Sequence, residues 1–246
     1  MTGWLGAERH DLDECGSTND EAARLARAGA SHGAIVLALA QSAGRGREGR
    51  AWQSPPGAGL YLSCVLRPPL ALPAVPPLTL ALGIAVCDAA RAFGAPAAIK
   101  WPNDILVPGK GPGKKLAGVL VEAQSQGARL EAVIAGIGVN LRGPVALDTA
   151  IALDEAADRP APREAFLVEL LARCETWIDR YVAGGIAAIA PAWRERMARG
   201  IRARATVGGA AVVGELAGLA DDGALLLRAA DGAVHAVRSG DVELVK

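Results

Sequence analysis

Residues 115–140 read KLAGVLVEAQSQGARLEAVIAGIGVN, and this stretch decides the fold. It contains two mostly apolar runs that we predict as strands, over residues 115–124 and 130–141. The second run carries Gly136-Ile137-Gly138-Val139-Asn140, in which two glycines share one face of the strand and leave a slot beside it. Such a slot suits a flat ligand, and the terminal asparagine offers an amide donor and acceptor. A β-bulge explains the same pattern equally well.

The rest of the first 200 residues adds strands and helices around this pair. Further strands are predicted over residues 34–40, 60–66 and 97–107, the last broken at Pro102-Asn103. A capping box of Thr18 and Glu21 opens a predicted helix over 18–28, and further helices are predicted over 77–93, 163–181 and 186–199. Strands this dense, with most helices elsewhere in the chain, indicate an α+β fold with a mixed β-sheet.

The last 47 residues have a different pattern. Turn signals divide them into five short predicted strands, which is typical of a small β-barrel. A module of this size has a thin core, so we expect it to pack against the larger domain. The sequence therefore predicts two domains, residues 1–199 and residues 200–246.

The composition excludes several classes of protein. Twenty-six basic and 26 acidic residues give a formal net charge of zero, so no overall charge holds the chain on nucleic acid or an anionic membrane. The four cysteines are at least 23 positions apart, which excludes CxxC redox motifs and zinc-type spacing. The N-terminus lacks a secretory signal, and the uncharged residues 68–87 contain five prolines. We therefore expect a cytoplasmic protein that does not enter a membrane.

A glycine- and arginine-rich segment is the first candidate site. Residues 44–49 match the GxGxxG pattern of dinucleotide-binding folds, but the following residues 50–56, RAWQSPP, cannot open the helix which that pattern requires. A flexible loop with Arg45, Arg47 and Arg50, and with Trp52 as an apolar lid, suits a polyphosphate or an acyl phosphate. A solvated basic loop is the alternative interpretation.

The predicted strand break at residues 100–104 is the second candidate site. Its sequence, Lys100-Trp101-Pro102-Asn103-Asp104, brings together a cation, an amide and a carboxylate. These groups suit a phosphate and its Mg²⁺ ion. A purely structural turn is equally consistent with the residues.

Five blocks of sequence together resemble the biotin-protein ligases, also called biotin acetyl-CoA-carboxylase ligases. In chain order they are Ser17-Thr18-Asn19, then QSAGRGR at 41–47 continuing to Trp52, KWPND at 100–104, KLAGVLVE at 115–122 and GIGVN at 136–140. The resemblance covers about residues 10–200, and the last 47 residues are similar to the family's SH3-like C-terminal barrel. It implies a class II synthetase-like, biotin-lipoate ligase-like catalytic domain, in which helices flank the mixed sheet.

The resemblance implies two half-reactions. Biotin and MgATP give biotinyl-5′-AMP and pyrophosphate, and a lysine of a biotin carboxyl carrier domain, as in acetyl-CoA carboxylase, then displaces AMP. Biotin, ATP and Mg²⁺ are the expected ligands, and the carrier protein is the expected partner. Only 16 residues precede Ser17, so we expect a monofunctional ligase without an N-terminal DNA-binding domain and without DNA binding. A homodimer is compatible with the resemblance, because family members often dimerise through a sheet edge.

The resemblance also implies roles for individual residues. Arg47 and Lys115 are the expected catalytic residues, because their charges offset the repulsion between the carboxylate of biotin and the α-phosphate of ATP. The expected biotin-binding residues are Ser17, Thr18, Asn19, Gln41, Gly44, Arg45, Gly46, Arg47, Lys115 and Gly118. The expected ATP-binding residues are Arg47, Arg50, Trp52, Lys100, Asn103, Lys115 and Asn140. Asp104 is the expected Mg²⁺ ligand.

Two other functions remain open at this point. A lipoate-protein ligase or octanoyltransferase resembles the same fold, although the glycine-arginine loop and the C-terminal barrel favour biotin. An RNA-binding module that uses the arginine-rich loop belongs to a different class. The zero net charge and the presence of only nine aromatic residues, without a clustered platform, weigh against it.

Overall fold

The first sheet of the protein is mixed, as predicted. The computed structural model describes residues 3–109, 111–198, 202–207, 209–238, 240 and 242–245. The sheet has seven strands in these ranges, in the order β1-β2-β3-β7-β6-β5-β4. β1 pairs with β2 in parallel, and the other neighbours are antiparallel. The strands are β1 Arg9–Cys15, β2 Ile35–Gln41, β3 Gly59–Leu66, β4 Ala98–Lys100, β5 Asp104–Gly109, β6 Gly111–Gln126 and β7 Arg129–Asn140.

Residues 115–140 form most of β6 and all of β7, and these two strands pair along almost their whole length at the middle of the sheet. β3, on the other side of β7, is buried at every position, which accounts for its uninterrupted apolar sequence. β1 was not predicted from the sequence. It is an edge strand, RHDLDEC, whose residues are all exposed or half-buried. Because most of these residues are charged, the sequence lacks the apolar pattern that predicts a strand.

The N-cap of α1, Thr18–Arg27, is one residue earlier than the predicted cap at Thr18. Ser17 is the N-cap and has extended backbone angles, and no side chain makes the capping hydrogen bond. The predicted capping box, which placed Thr18 in that position, is therefore wrong. The side chain of Thr18 is instead buried, where its hydroxyl contacts Gln41 and Ser63.

Three more helices complete the larger domain: α2 Leu78–Ala92, α3 Leu153–Ala156 and α4 Arg163–Arg196. α4 combines the two predicted helices, and they meet at a kink where Gly185 has φ +60°. α2 packs against α4, and Arg196 of α4 pairs with Asp88 of α2 at 2.5 Å. Residues 72–92 are long and apolar enough to span a membrane, but 11 of the 15 residues of α2 are buried in the core, which explains its composition.

The C-terminal strands form a separate antiparallel sheet in the order β11-β10-β9-β8-β12. They are β8 Arg202–Val207, β9 Ala210–Leu219, β10 Leu225–Ala229, β11 Val234–Val237 and β12 Glu243–Val245. Their apolar residues join the same core cluster as the larger domain, so the small module packs on it as expected. The indole N–H of Trp101 donates to the Gly223 carbonyl at 3.3 Å across this contact. The predicted domain boundary at 199/200 lies outside the described residues.

Candidate active site

A cavity lies over the face formed by β3, β7 and β6. It has a volume of about 860 Å³ when its open mouth is included. The N-terminus of α1, the loop after β2, the turn between β4 and β5, and Val242 of the C-terminal module close its sides. Most of the predicted site residues line it together: Ser17, Thr18, Asn19, Gln41, Arg45, Gly46, Arg47, Arg50, Trp52, Lys100, Asn103, Asp104, Lys115 and Gly118. The exceptions are Gly44 and Asn140.

One end of the cavity is a polar corner at the start of α1. The Thr18 backbone N–H donates to Gln41 Oε1 at 2.8 Å, and the Thr18 hydroxyl lies 3.1 Å from the same oxygen. The Gln41 amide donates to Ser54 Oγ at 2.8 Å, which fixes the orientation of its side chain. Ser17 is 3% exposed, and its hydroxyl does not cap the helix. This corner therefore presents oriented neutral polar groups in a largely buried setting.

The loop at residues 42–54 folds back on itself over the cavity. Gln41 pairs with Ser54 and Arg45 with Ala51 as β-bridges, and a 3₁₀ turn, Arg47–Gly49, forms the tip. Gly44 is not among the residues that line the cavity, and its role as a biotin contact stays a prediction. A Cβ on Gly44 would lie 2.6 Å from the Trp52 carbonyl oxygen, so this glycine allows the two arms of the loop to approach closely.

Trp52 fills the slot that the sequence predicted beside β7. A Cβ on Gly138 would lie 2.6 Å from Trp52 Cε2, and one on Gly136 would overlap Asn19 Oδ1. The space beside the two glycines is therefore occupied by side chains of the protein itself and is not an empty slot for a ligand. The indole N–H of Trp52 is buried and has no hydrogen-bond partner among the described residues. This donor is available to a group that enters the cavity.

Arg45 is held by acidic side chains. Its guanidinium pairs with Asp20 at 2.6 Å and with Glu122 at 3.6 Å, and the hydrogen bond that it donates to the Asp20 carboxylate raises the pKa of Arg45. The Arg45 side chain therefore fastens the loop to α1 and β6. Arg50 lies 3.4 Å from Glu48. These pairings remove much of the exposed positive charge that an RNA-binding loop needs.

The basic end of the cavity centres on Lys115 of β6. Its Nζ lies 2.6 Å from Asp104 Oδ1 and 5.3 Å from the centre of the Trp52 ring. Lys100 approaches the other Asp104 oxygen at 3.4 Å. Asp104 thus holds two ammonium groups at the cavity wall, where a ligand with an anionic group would meet them.

A second cavity adjoins the first at Lys115. Its volume is about 990 Å³, and Trp52, Tyr61, Ala51 and Lys115 line both cavities. Asn140 lies in this second lobe, where its amide donates to the carbonyls of Lys115 and Ile151 at 3.4 and 3.3 Å. The segment at residues 144–150 forms the outer wall. The site therefore has two lobes with one lysine at their junction.

Sequence comparisons identify the architecture. The Biotin/lipoate A/B protein ligase family matches residues 16–140, and the biotin protein ligase C-terminal domain matches residues 199–245. The biotin--[acetyl-CoA-carboxylase] ligase of Paracoccus denitrificans is 40% identical over 226 residues, which are 86% of this chain and 90% of that protein. The chain belongs to the biotin protein ligase family. The bifunctional ligase/repressor BirA of Bacillus subtilis is 35% identical over 94% of this chain and 72% of its own length.

Solved structures of biotin protein ligases share the whole fold. The enzyme of Aquifex aeolicus in complex with biotin and ATP has a TM-score of 0.80 at 27% identity, covering 98% of this chain and 99% of that one. The biotin protein ligase of Leishmania major in complex with biotin has a TM-score of 0.66 at 26% identity, covering 95% and 99%. The predicted fold class, an α+β catalytic domain followed by the family's C-terminal module, is confirmed.

The described residues do not fit a metal ion held by the ligase itself. Among them there is no group of three His, Cys, Asp or Glu side chains that could hold one. Both oxygens of Asp104 face ammonium groups, which repel a divalent cation. Asp104 instead pairs with Lys100 and Lys115, and its expected role as a Mg²⁺ ligand stays a prediction that these contacts do not support.

Sequence reasoning missed several parts of the cavity wall. Tyr61 and Val242 line it but lie outside the five sequence blocks, and Trp101, Val119 and Leu120 lie within the blocks but were assigned no role. Their contribution depends on strand register and on how the C-terminal module packs, which local patterns do not encode. Burial raises the pKa of Tyr61 to about 12, and its hydroxyl donates to the Pro55 carbonyl, so Tyr61 is a neutral wall of both lobes.

Proposed function

We propose that this ligase activates biotin with ATP to biotinyl-5′-AMP and transfers the biotinyl group to a lysine of a biotin carboxyl carrier domain. The observation that carries the proposal is the pair of cavities that meet at Lys115, one with a buried neutral polar corner and the other with an apolar outer wall. The relatives named for biotin--[acetyl-CoA-carboxylase] ligase activity support the same reaction.

The first lobe suits the ureido ring of biotin. That ring offers two N–H donors and one carbonyl acceptor in an otherwise apolar body. Thr18 and Gln41 supply acceptors, and the hydroxyl of Ser17, which does not cap the helix, supplies a donor. The valerate chain would then run along β6 past Gly118 toward Lys115, between walls formed by Trp52 and Val119.

The second lobe suits the nucleotide. The adenine ring would lie between Trp52 and the apolar segment at residues 144–150, near the Asn140 amide. Lys100, Asn103 and Lys115 line the first lobe and would bind the phosphates, together with Arg47 and Arg50 of the same lining. ATP enters as its complex with Mg²⁺, so the ion belongs to the substrate.

In the first half-reaction a carboxylate oxygen of biotin attacks the α-phosphorus of ATP. The bond from that phosphorus to the bridging oxygen of the β-phosphate breaks, and pyrophosphate leaves with the electron pair. Both reactants are anions, so the ammonium of Lys115 and the guanidinium of Arg47 offset their repulsion and stabilise the charge of the transition state. The step needs no general base, because the attacking carboxylate is already ionised at neutral pH.

In the second half-reaction the neutral ε-amine of the carrier lysine attacks the acyl carbon of the adenylate. The bond from that carbon to the phosphate oxygen breaks, AMP leaves, and the amine loses its proton to solvent. The folded loop at residues 42–54 covers the cavity, which would protect the acyl phosphate from water. We also propose that the ligase acts in the cytoplasm, because the reaction consumes ATP and α2 is a core helix.

Transfer to a carrier tests the whole proposal. The ligase is incubated with biotin, MgATP and a purified biotin carboxyl carrier domain, and the mass of the carrier is followed. We expect a mass gain of one biotinyl group that depends on ATP and disappears when the acceptor lysine of the carrier is replaced by arginine. A carrier that gains no mass, or that gains it only with lipoate or octanoate, would contradict the proposal.

A further inference from the structure

An ion pair joins the loop at residues 42–54 to the body of the larger domain. Arg45 Nη1 donates to Asp20 Oδ2 at 2.6 Å, and Arg45 Nη2 lies 3.6 Å from Glu122 Oε1. Asp20 is in the first turn of α1 and Glu122 is on β6, so both acids belong to regular elements of the domain. Asp20 lines neither cavity, so its contact is with the loop and not with a ligand.

Arg45 is placed where it can hold both arms of the loop. Arg45 and Ala51 pair as a β-bridge, and the Trp52 N–H donates to the Gly44 carbonyl at 2.9 Å. The Trp52 ring in turn lies 5.3 Å from Lys115 Nζ, at the junction of the two lobes. Because the arms are bonded to each other, a contact that holds Arg45 also holds Trp52 over this junction.

The base of the loop is bonded separately. The N–H groups of Ser42 and Ala43 donate to the carbonyls of Cys15 and Gly16 at 3.0 and 2.8 Å. These bonds fix where the loop begins, and the Arg45 ion pair lies further along it, where a lid opens and closes. The Asp20 and Arg45 side chains are 57% and 38% exposed, so water replaces the pair at little cost when it breaks. The contact therefore suits a latch that breaks and forms again.

We propose that Asp20, acting through Arg45, is a positioning residue that keeps the loop closed over the adenylate until the carrier lysine arrives. The inference rests on the proposed function, in which the adenylate is the bound intermediate. Loss of the latch raises the fraction of time that the loop is open, so the adenylate leaves sooner. The chemical step uses the charges of Arg47 and Lys115, which a substitution of Asp20 leaves in place, so its rate stays near that of the parent.

Three substitutions of Asp20 vary the strength of the latch. Asp20→Glu keeps the carboxylate, Asp20→Asn removes its charge, and Asp20→Lys places a like charge opposite Arg45 and repels it. Glu21→Gln is the matched control, because Glu21 is the other acid in the first turn of α1, pairs with Arg24 at 3.0 Å and lies outside both cavities. The control removes the same negative charge from the helix N-terminus and leaves the Arg45 pair intact.

The test loads the full chain with labelled biotin and MgATP, and follows release of biotinyl-5′-AMP by rapid filtration after a chase with unlabelled biotin. We expect release about threefold faster in Asp20→Asn, as for loss of a partly exposed ion pair, and faster still in Asp20→Lys. Asp20→Glu and Glu21→Gln should release it at the parent rate. Single-turnover formation of the adenylate should stay within about twofold of the parent in all four variants. Raising the salt from about 0.05 to 0.5 M should speed release more in the parent than in Asp20→Asn, because salt screens the pair.

Hydrogen exchange of the chain without substrates tests the latch independently of the reaction. Peptides that cover residues 42–54 should exchange faster in Asp20→Asn and Asp20→Lys than in the parent and in Glu21→Gln. Melting temperatures should match the parent, because Asp20 is exposed.

Each result decides the inference. Faster release and faster loop exchange in Asp20→Asn and Asp20→Lys, absent in Glu21→Gln, support it. Parent-like release in Asp20→Lys, the same increase in Glu21→Gln, or an equal effect of salt on the parent and Asp20→Asn would overturn it. If Asp20→Lys does not fold, Asp20→Asn gives the answer. A parent protein that forms no adenylate would contradict the proposed function instead, and hydrogen exchange would still decide whether Asp20 holds the loop.

Discussion

Replacing Lys115 by alanine should abolish most adenylate formation while the ligase stays folded. Lys115 stands at the junction of the two lobes, 2.6 Å from Asp104, and its side chain is 35% exposed. Asp104 keeps Lys100 as a partner in the variant, and a partly exposed ion pair contributes only about 0–1 kcal/mol to stability. Removal of a charge contact to the transition state costs about 3 kcal/mol, which lowers the rate roughly a hundredfold.

The assay is single-turnover formation of biotinyl-5′-AMP, with the melting temperature as the measure of folding. Lys114→Ala is the matched control, because Lys114 is the adjacent exposed lysine on β6 and lies outside both cavities. We expect the control to form adenylate at the parent rate. Parent-like rates in Lys115→Ala, or equal losses in both variants, would refute the role of this ammonium group in the reaction.

Three further outcomes are expected. Gly138→Val should displace the Trp52 indole and raise the KM values for biotin and ATP, measured by exchange of labelled pyrophosphate into ATP, because the added side chain overlaps the ring; unchanged KM values would show that the indole is not part of the site. Arg47→Gly should release biotinyl-5′-AMP into solution faster than the parent, measured by filtration and mass spectrometry, since one cation at the mouth is lost; equal retention would exclude this role. A hydrogen bond from the Ser31 hydroxyl lowers the pKa of Glu8 to about 2, so its stabilisation is present above about pH 4.5 and is lost as the pH falls toward 2. Glu8→Gln should therefore show a smaller difference in melting temperature between pH 6 and pH 3, and an unchanged difference would contradict that coupling.

The sequence predicted those parts of the fold whose signal is local. The apolar runs of β3 and β7 and the apolar helix α2 were found because most of their residues are buried, and β6 was found from the apolar run that begins at Leu116. β1 was missed because an edge strand with charges on both faces has no such signal. α3 spans only the four residues Leu153–Ala156, too few for a helical pattern to appear.

The sequence predicted which residues line the candidate site better than it predicted the contacts between them. Motif residues far apart in the chain do line one cavity, because the blocks occur at strand ends and at the start of α1. The sequence could not show that Trp52 occupies the glycine slot, that Arg45 is paired with acids, or that Asp104 is held between two lysines. Arg45 and Trp52 meet residues that are distant in the chain, and Asp104 meets Lys115 only because β5 pairs with β6, so no local pattern shows these contacts.

Biotin-dependent exchange of labelled pyrophosphate into ATP tests the central claim most directly. The exchange requires reversible formation of an enzyme-bound adenylate and does not need the carrier protein. We predict that label enters ATP when the full chain is supplied with biotin and MgATP, and that lipoate and octanoate at the same concentration give only background exchange. Label entering ATP at the same rate without biotin, or faster with lipoate or octanoate than with biotin, would contradict the account.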